Sequence, residues 1–194
     1  GYVRDFILNK KSYDIDIATS ATVKEMSAFL NGNASSAHYG ALKVSNPPYN
    51  IDITTFRREL SYQKRNPTVC YIKDVKEDIL RRDFTINAIL MDKNGNIIDY
   101  LGGIQDIRDK KIKCIGNPNA KFQDDPLRML RALRFHATLG FNIDAATLNG
   151  IKKHKDLLTT LSKTRVKSEF DKILLSANVV KAMDYMKKLG ILFY

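Results

Sequence analysis

Alternating polar and apolar residues mark short extended segments in the first part of the chain. Asp14 and Asp16 alternate with isoleucines, and residues 50–54 repeat this rhythm around Asp52. Because successive side chains of a strand point to opposite faces, each segment is predicted to project its acids from one face. The predicted strands are residues 3–8, 14–18, 41–44, 51–55, 68–72 and 97–99.

Two local patterns between these strands predict a helix and a hairpin. Residues 22–30 have helical spacing, and Thr22 with Glu25 three positions later forms the capping-box pattern that opens a helix. The Asn-Gly-Asn sequence at residues 94–96 is typical of a tight connection between antiparallel strands. Residues 33–38 are small and polar, which indicates a loop.

Residues 77–88 are predicted to form one amphipathic helix that packs against the sheet. Its apolar residues recur at helical spacing, at Leu80, Phe84 and Ala88. Its polar residues form either a solvated, salt-bridged face or the wall of a nucleotide pocket. In the second interpretation Arg82 contacts phosphate oxygens, while Asp83 and Asn87 contact sugar or base groups. The residues alone favour neither interpretation.

After Pro118 the chain changes to long helical periodicities with few β-branched residues. This change predicts an α+β chain with a mixed sheet-and-helix part at residues 1–119 and a helical part at residues 120–194. Asp125 before Pro126 has the order of an N-cap and a first helical residue. Arginine then recurs every third position, at Arg128, Arg131 and Arg134.

The spacing of Asp125 and Arg128 has two interpretations. In isolation we favour a capped helix with a charged exposed side. Alternatively, the two residues present a hydrogen-bond acceptor beside a donor. Cytosine and adenine each show an amino donor next to a bare ring nitrogen, whereas uracil and guanine show the reverse. Such a pair could accept C and A and reject U and G, which would leave Arg131 and Arg134 for phosphates.

Asp14 and Asp16 are candidate metal ligands. Two carboxylates this close repel each other unless one is protonated or a cation lies between them. Mg²⁺ prefers such oxygen ligands, and Asp52 would add a third carboxylate if the two acidic strands are neighbours. The alternative, common for such pairs, is a solvated strand face.

Composition indicates the class of partner. The 194 residues include 32 Lys and Arg against 21 Asp and Glu, a net charge of +11. This charge favours a nucleic acid over a membrane as partner, since no lipid-seeking amphipathic segment stands out, although surplus charge can also simply keep a protein soluble. No apolar run in the sequence is long enough to cross a bilayer. Cys70 and Cys114 are predicted to be free thiols of a cytoplasmic protein, or an organellar one in a eukaryote. We expect a fragment, because the chain opens at Gly1 within apparently functional sequence.

Five motifs follow one another along the chain: Gly-x-Val-Arg-Asp at 1–5, Asp-x-Asp-Ile-Ala-Thr at 14–19, an acid and Ile-Thr-Thr-Phe-Arg at 52–57, Arg-Arg-Asp-Phe-Thr-x-Asn-Ala at 81–88 and Asp-Pro-Leu-Arg at 125–128. In this order they resemble the motifs of the bacterial-type (class II) CCA-adding tRNA nucleotidyltransferases and the similar bacterial poly(A) polymerases. The chain departs from the family at Asp52 and Asp124, where Glu is usual, and at Ala41, where Thr is usual.

The resemblance implies a nucleotidyltransferase head, a mixed β-sheet with flanking helices, followed by an all-helical neck and the start of a body domain. It implies an enzyme that adds CCA to tRNA 3′ ends from CTP and ATP by two-metal transfer with Mg²⁺. The alternatives are a poly(A) polymerase, a CC-adding enzyme or a non-catalytic RNA-binding module.

The expected partners are CTP, ATP and tRNA, which would be contacted at its 3′ end and acceptor stem. The oligomeric state is left open. Basic residues that either follow the acceptor stem or form a solvated face are Lys152, Lys153, Lys155 and Lys167.

The resemblance also implies a role for each motif residue. The catalytic acids are Asp14, Asp16 and Asp52, of which the first two bind metal. The residues that hold the nucleotide's phosphates and sugar are Gly1, Arg4 and Arg82, joined by Asp83 and Asn87 from the pocket interpretation above. The residues that read C and A, with their supports, are Asp125, Arg128, Arg131 and Arg134. A structural pair in the neck is formed by Arg165 and Glu169.

Overall fold

The computed structural model describes residues 1–33, 40–63 and 66–192, with side chains throughout except at 61–63 and 66–67. The chain divides into two compact units. The first consists of Gly1–Arg82 and Asn87–Tyr100, and the second of Asp83–Ile86 and Leu101–Tyr194. The loop predicted at residues 33–38 lies outside the described residues beyond Asn33.

The first unit is built on a three-stranded sheet with the strand order β1-β3-β2. The elements of this unit are α1 (Tyr2–Ile7), β1 (Asp14–Thr19), α2 (Val23–Ser27), β2 (Ala41–Asn46), β3 (Tyr49–Thr55), β4 (Arg57–Gln63), β5 (Asn66–Tyr71), α3 (Val75–Leu80), β6 (Leu90–Met91) and β7 (Ile97–Ile98). β1 runs parallel to β3, and β2 runs antiparallel to it. The two acidic strands are therefore neighbours.

One face of this sheet is apolar and packs against α2. Leu42 of β2 and Ile53 of β3 are buried together with Met26 of α2. The capping box predicted for α2 is confirmed. Thr22 Oγ1 accepts a hydrogen bond from the Glu25 backbone N–H, and the Glu25 carboxylate accepts one from the Thr22 backbone N–H.

The other strands of the first unit form two hairpins. β4 pairs antiparallel with β5, and β6 pairs antiparallel with β7 across residues 94–96, as predicted for the second pair. The strand predicted at residues 3–8 is wrong, because Tyr2–Ile7 form helix α1, in which the Asp5 N–H donates to the Gly1 carbonyl over 3.1 Å. A short apolar run does not by itself distinguish a strand from a helix.

The single helix predicted over residues 77–88 is also wrong. α3 ends at Leu80, and a 3₁₀ turn follows at Thr85–Asn87. Phe84 belongs to the second unit, where it is fully buried against Phe135, with ring centroids 5.8 Å apart in an edge-on arrangement. The burial of this ring outweighs the helical spacing that joins it to Leu80 in the sequence.

The second unit is largely helical and is organised around α6. Its elements are α4 (Gly103–Arg108), β8 (Lys111–Ile112), α5 (Pro118–Asp124), α6 (Leu127–Leu139), β9 (Asn142–Ile143), α7 (Ala145–His154), a 3₁₀ segment (Lys155–Thr160), α8 (Lys163–Leu174) and α9 (Val179–Lys188). α6 packs against α8 and α9, and α5 packs against α7. The buried core includes Phe122, Met129, Leu133, Ile151, Ile173 and Met186. The helical prediction after Pro118 holds except for β9, which pairs with β8.

Helix α6 starts one residue later than predicted, because Pro126 is the N-cap and Leu127 the first helical residue, while Asp125 is the C-cap of the preceding helix α5. Asp125 Oδ1 accepts a hydrogen bond from the Leu127 backbone N–H over 3.2 Å, which satisfies one of the free donors at the helix start. The helix ends at Leu139 and is capped by Gly140, whose φ of 71° suits glycine. The α+β prediction is confirmed. Across the described parts of the chain, no helix combines the length and apolar character needed to span a bilayer.

Candidate active site

The acids of β1 and β3 lie on one face of the three-stranded sheet, which we call the carboxylate face. This face is formed by alternate residues of the three strands, namely 14, 16 and 18 of β1, 50, 52 and 54 of β3, and 41, 43 and 45 of β2. Asp16 lies directly beside Asp52, because the two are register partners in parallel strands. Asp14 and Asp16 are exposed and Asp52 is half-buried. The face therefore presents carboxylate oxygens to solvent.

The carboxylate face does not form a ready-made three-acid metal site. Within the described ranges, no three side chains of His, Cys, Asp or Glu come together in a group that could hold a metal ion. Mg²⁺, however, is usually bound through one or two carboxylates together with substrate phosphates and water. Asp14 and Asp16 fit that mode of binding, because both are exposed on the same strand face.

Neighbouring residues constrain the two acids of β1. Asn50 Nδ2 donates a hydrogen bond to Asp14 Oδ1 over 3.3 Å. The Gly1 backbone approaches Asp16 so closely that an added Cβ would lie 3.0 Å from Asp16 Oδ2. This close approach favours glycine at the first position.

Three residues of the predicted nucleotide-binding set come together in the first unit. Arg4 Nη1 donates to Asn87 Oδ1 over 2.6 Å, and Arg82 Nη1 donates to the Asn87 carbonyl over 3.1 Å. Arg4 is buried and also pairs with Asp5, at 2.7 Å. Two guanidinium groups therefore converge on Asn87, and guanidinium groups match the geometry of phosphate oxygens.

Two residues that contact the predicted site residues, Asp78 and Lys43, had no predicted role. Asp78 is fully buried and accepts hydrogen bonds from Arg81 Nε over 2.9 Å and from Arg82 Nη2 over 3.3 Å. The sequence feature that could have revealed these contacts is the spacing of Asp78 to the two arginines, three and four positions later. Lys43 Nζ lies 3.4 Å from Asp52 Oδ2. Its signal was the period of two in β2, which places Lys43 on the carboxylate face once the strand register is known.

Asp83 and Arg131 pair with each other in the second unit. Arg131 Nε donates to Asp83 Oδ2 over 2.6 Å, and the Phe84 backbone N–H donates to Asp83 Oδ1 over 2.8 Å. Burial alone would lower the pKa of Arg131, but the charge and hydrogen bond of Asp83, together with the charges of Glu169 and Asp125, outweigh it and raise this pKa above its ordinary value. The Arg131 guanidinium is therefore charged and fixed in orientation.

Asp125 and Arg128, the predicted base-reading pair, lie at the start of α6. The Arg128 side chain is buried and donates from Nη1 to the Lys121 carbonyl of α5 over 3.1 Å. The Asp125 carboxylate accepts a hydrogen bond from the Leu127 backbone N–H, the first of the helix. Local contacts therefore restrain both side chains one helical turn apart. Their role in reading bases remains a prediction.

Arg134 joins α6 to α8 through Glu169. Arg134 Nε lies 2.6 Å from Glu169 Oε2, and its guanidinium lies over the Phe135 ring, 4.2 Å from the centroid. Glu169 also lies 4.0 Å from Lys172 Nζ. Glu169 therefore forms its ion pairs with Arg134 and Lys172, and not with Arg165 as predicted.

Comparison with known proteins identifies the family. A family model described as the Poly A polymerase head domain matches residues 1–113, more than half of the chain. The chain belongs to this family. A second model, described as the probable RNA and SrmB-binding site of polymerase A, matches residues 140–194.

Proteins and structures similar to this chain include CCA-adding enzymes. The CCA-adding enzyme of Limosilactobacillus reuteri (strain DSM 20016) is 41% identical over 186 residues, 94% of this chain and 46% of the relative. The crystal structure of the Bacillus stearothermophilus CCA-adding enzyme in complex with CTP matches with a TM-score of 0.89 and 34% identity, over 97% of this chain and 46% of that chain. A tRNA nucleotidyltransferase complexed with a primer tRNA and an incoming ATP analog matches with a TM-score of 0.83 and 27% identity, over 99% of this chain and 56% of that chain. The chain spans about half the length of these relatives.

These findings confirm the resemblance that the motifs indicated. The carboxylate face and the cluster around Asn87 lie within the range matched by the head-domain model. Helix α6 lies between the two matched ranges. The functional role of each residue in this family member remains a prediction.

Proposed function

We propose that this head-domain protein is a nucleotidyltransferase that adds CCA to tRNA 3′ ends from CTP and ATP without a nucleic-acid template. The observation that carries the proposal is the carboxylate face, where Asp14 and Asp16 share one strand face and Asp52 lies in register beside Asp16. The substrates are supported by similar proteins named CCA-adding enzymes and by a matching structure in complex with CTP.

Asp14 and Asp16 would hold Mg²⁺, with Asp52 as the third catalytic carboxylate. The bound ions, two in this proposal, would activate the RNA 3′-hydroxyl and neutralise charge on the transferred and leaving phosphates. The protein contributes the strand register, because hydrogen-bonded neighbouring strands hold the carboxylates at fixed spacing.

The incoming nucleotide would be held by the cluster around Asn87. Arg4 and Arg82 would contact its phosphates and sugar, since their guanidinium groups already converge on Asn87. Gly1 would keep the position beside Asp16 free of a side chain for the substrate, since an added Cβ would lie 3.0 Å from Asp16 Oδ2. We assign Asn87 to the sugar or base through its amide.

Base choice would be made by Asp125 and Arg128. Their acceptor and donor match the amino group and bare ring nitrogen shared by cytosine and adenine, and mismatch uracil and guanine. Asp83 would act by orienting Arg131, since both carboxylate oxygens of Asp83 already accept hydrogen bonds from protein donors. Arg134 would support the same helix through Glu169.

We further propose that residues 1–119 are the catalytic head and residues 120–194 the neck and the start of a body domain. Four lysines of the second range would follow the acceptor-stem backbone: Lys152, Lys153, Lys155 and Lys167. The proposed location is the cytoplasm, or an organelle in a eukaryote, consistent with the free thiols of Cys70 and Cys114.

A poly(A) polymerase is the second candidate function. The description of the family model over residues 1–113 favours it, since that model is named for the Poly A polymerase head domain. Both candidates transfer nucleotides to an RNA 3′ end, and they differ in when addition stops and in whether CTP is used.

Labelled nucleotide incorporation on a tRNA that ends before CCA tests the proposal. With CTP and ATP together, we expect addition of C, C and A, followed by a stop. Continued addition of A would establish the poly(A) polymerase instead, and addition of C residues alone would establish a CC-adding enzyme. Retained tRNA binding without any incorporation would identify an RNA-binding module and overturn the enzyme proposal.

A further inference from the structure

Lys43 provides the only cationic side chain on the carboxylate face of β1, β2 and β3. The strand order β1-β3-β2 places Asp52 between Asp16 on one side and Lys43 on the other, all three in register. Lys43 Nζ lies 3.4 Å from Asp52 Oδ2. The central acid of this row therefore has a like charge on one side and an opposite charge on the other.

The neighbours of Asp14 and Asp52 differ in kind. Asn50, the register partner of Asp14, is neutral and donates to it one hydrogen bond of 3.3 Å. Asp52 instead has an ammonium group within ion-pair distance. An ammonium group and a divalent ion compete for the same carboxylate oxygens, because the ammonium donates hydrogen bonds to them and the ion takes them as ligands.

We propose that Lys43 is a positioning residue that occupies Asp52 and so lowers the affinity of the carboxylate face for divalent ions. This inference rests on the proposed function, in which Asp14 and Asp16 hold Mg²⁺. With Lys43 present, Asp52 is paired within the protein before an ion arrives. Without Lys43, Asp52 would be released, and a full unit of positive charge would be removed from the vicinity of the bound ion.

The expected effect is modest, because the pair is solvent-exposed. The side chains of Lys43 and Asp52 are 56% and 46% exposed. Exposed ion pairs are weak and screened by salt, so an ion displaces the lysine at little cost. Replacing Lys43 by Gln should tighten divalent-ion binding by roughly two- to fivefold at low ionic strength, and less at high salt.

The test measures binding of Mn²⁺ alone, which like Mg²⁺ prefers oxygen ligands, by the electron paramagnetic resonance signal of the free ion. Lys43→Gln should bind Mn²⁺ more tightly than the unsubstituted protein. Lys43→Arg, which keeps the charge, should restore the original affinity. In an Asp52→Asn background, Lys43→Gln should have a much smaller effect.

Lys111→Gln is the matched control. Lys111 of the second unit pairs with Asp109 at 3.3 Å, with side chains 51% and 38% exposed, so this change removes the same charge from a similar surface pair that is not part of the carboxylate face. We expect it to leave Mn²⁺ affinity unchanged. Equal effects of Lys43→Gln and Lys111→Gln would show that only net charge matters and would overturn the proposal.

The Asp14→Asn and Asp16→Asn variants separate this inference from the proposed function. If they abolish Mn²⁺ binding and Lys43→Gln leaves the affinity unchanged or weakens it, the metal site stands and the role of Lys43 is wrong. If they leave Mn²⁺ binding intact, the ion binds elsewhere, and the proposed metal site and the role of Lys43 are both overturned.

Discussion

Arg131 donates a hydrogen bond of 2.6 Å from Nε to Oδ2 of Asp83, a residue 48 positions earlier in the chain. This ion pair ties α6 to the segment Asp83–Ile86 within the second unit. Asp83 is buried, and its other oxygen accepts from the Phe84 backbone N–H. Two residues first considered for nucleotide contacts are therefore partners of each other.

Replacing Asp83 by Asn should destabilise the protein by about 1–3 kcal/mol, because the charge of Arg131 loses its buried counter-ion. Urea unfolding measures this free energy. Asp171→Asn is the control, since it breaks an exposed pair with Lys167 one helical turn away, and it should change stability by less than about 0.5 kcal/mol. Equal effects of the two substitutions would contradict a structural role for the Asp83–Arg131 pair.

Arg134 and Glu169 should be energetically coupled, since both side chains are largely buried and their charged atoms are 2.6 Å apart. We expect Arg134→Met and Glu169→Gln each to destabilise the protein. The double variant should lose at least about 1 kcal/mol less than the sum of the single losses, because the second change removes a partner that is already unpaired. A double-mutant cycle from urea unfolding measures the coupling, and strictly additive losses would rule it out.

Cys114 should be unreactive in the folded protein. Burial raises the pKa of its thiol to about 11, so almost none is thiolate at pH 8. Iodoacetamide should therefore label the half-buried Cys70 at least about tenfold faster, with Cys114 reacting after unfolding. Mass spectrometry of timed samples resolves the two sites. Comparable labelling rates in the folded protein would contradict the burial of Cys114.

The same pKa shift predicts a pH dependence of stability. The folded pKa of Cys114 lies above its ordinary value of 9.0, so its contribution to stability is complete below about pH 9 and is lost as the pH rises through about 11. Cys114→Ala should lack this part of the alkaline decline. Urea unfolding of the unsubstituted protein and of Cys114→Ala at pH 8 and pH 10.5 isolates the contribution of Cys114. An identical loss of stability in the two proteins between these pH values would refute this role of Cys114.

Features encoded in neighbouring residues were predicted from the sequence. The period of two in residues 14–18 and 51–55 predicted the acidic strands, and Thr22 with Glu25 predicted the start of α2. These patterns depend on backbone geometry over a few residues. The family resemblance likewise rested on short motifs, and the match to the head-domain model confirmed it.

Features that depend on contacts between distant segments were missed. Helical spacing placed Phe84 on one face with Leu80, but Phe84 is buried beside Phe135, far along the chain. The recurrence of arginine every third residue showed that Arg128, Arg131 and Arg134 follow one another along α6, but it did not indicate that Arg131 pairs with Asp83 and Arg134 with Glu169. Local spacing shows which residues share a side of a helix, and only the tertiary fold supplies their partners.

The most direct test of the central claim replaces Asp14 and Asp16 by Asn and measures nucleotide incorporation on a tRNA that ends before CCA. If the carboxylate face performs the transfer, incorporation should fall by roughly a thousandfold or more, with tRNA binding unchanged. Asp184→Asn, which breaks an exposed pair with Lys188, should retain full incorporation. Incorporation by the Asp14 and Asp16 variants at the unsubstituted rate would contradict the account.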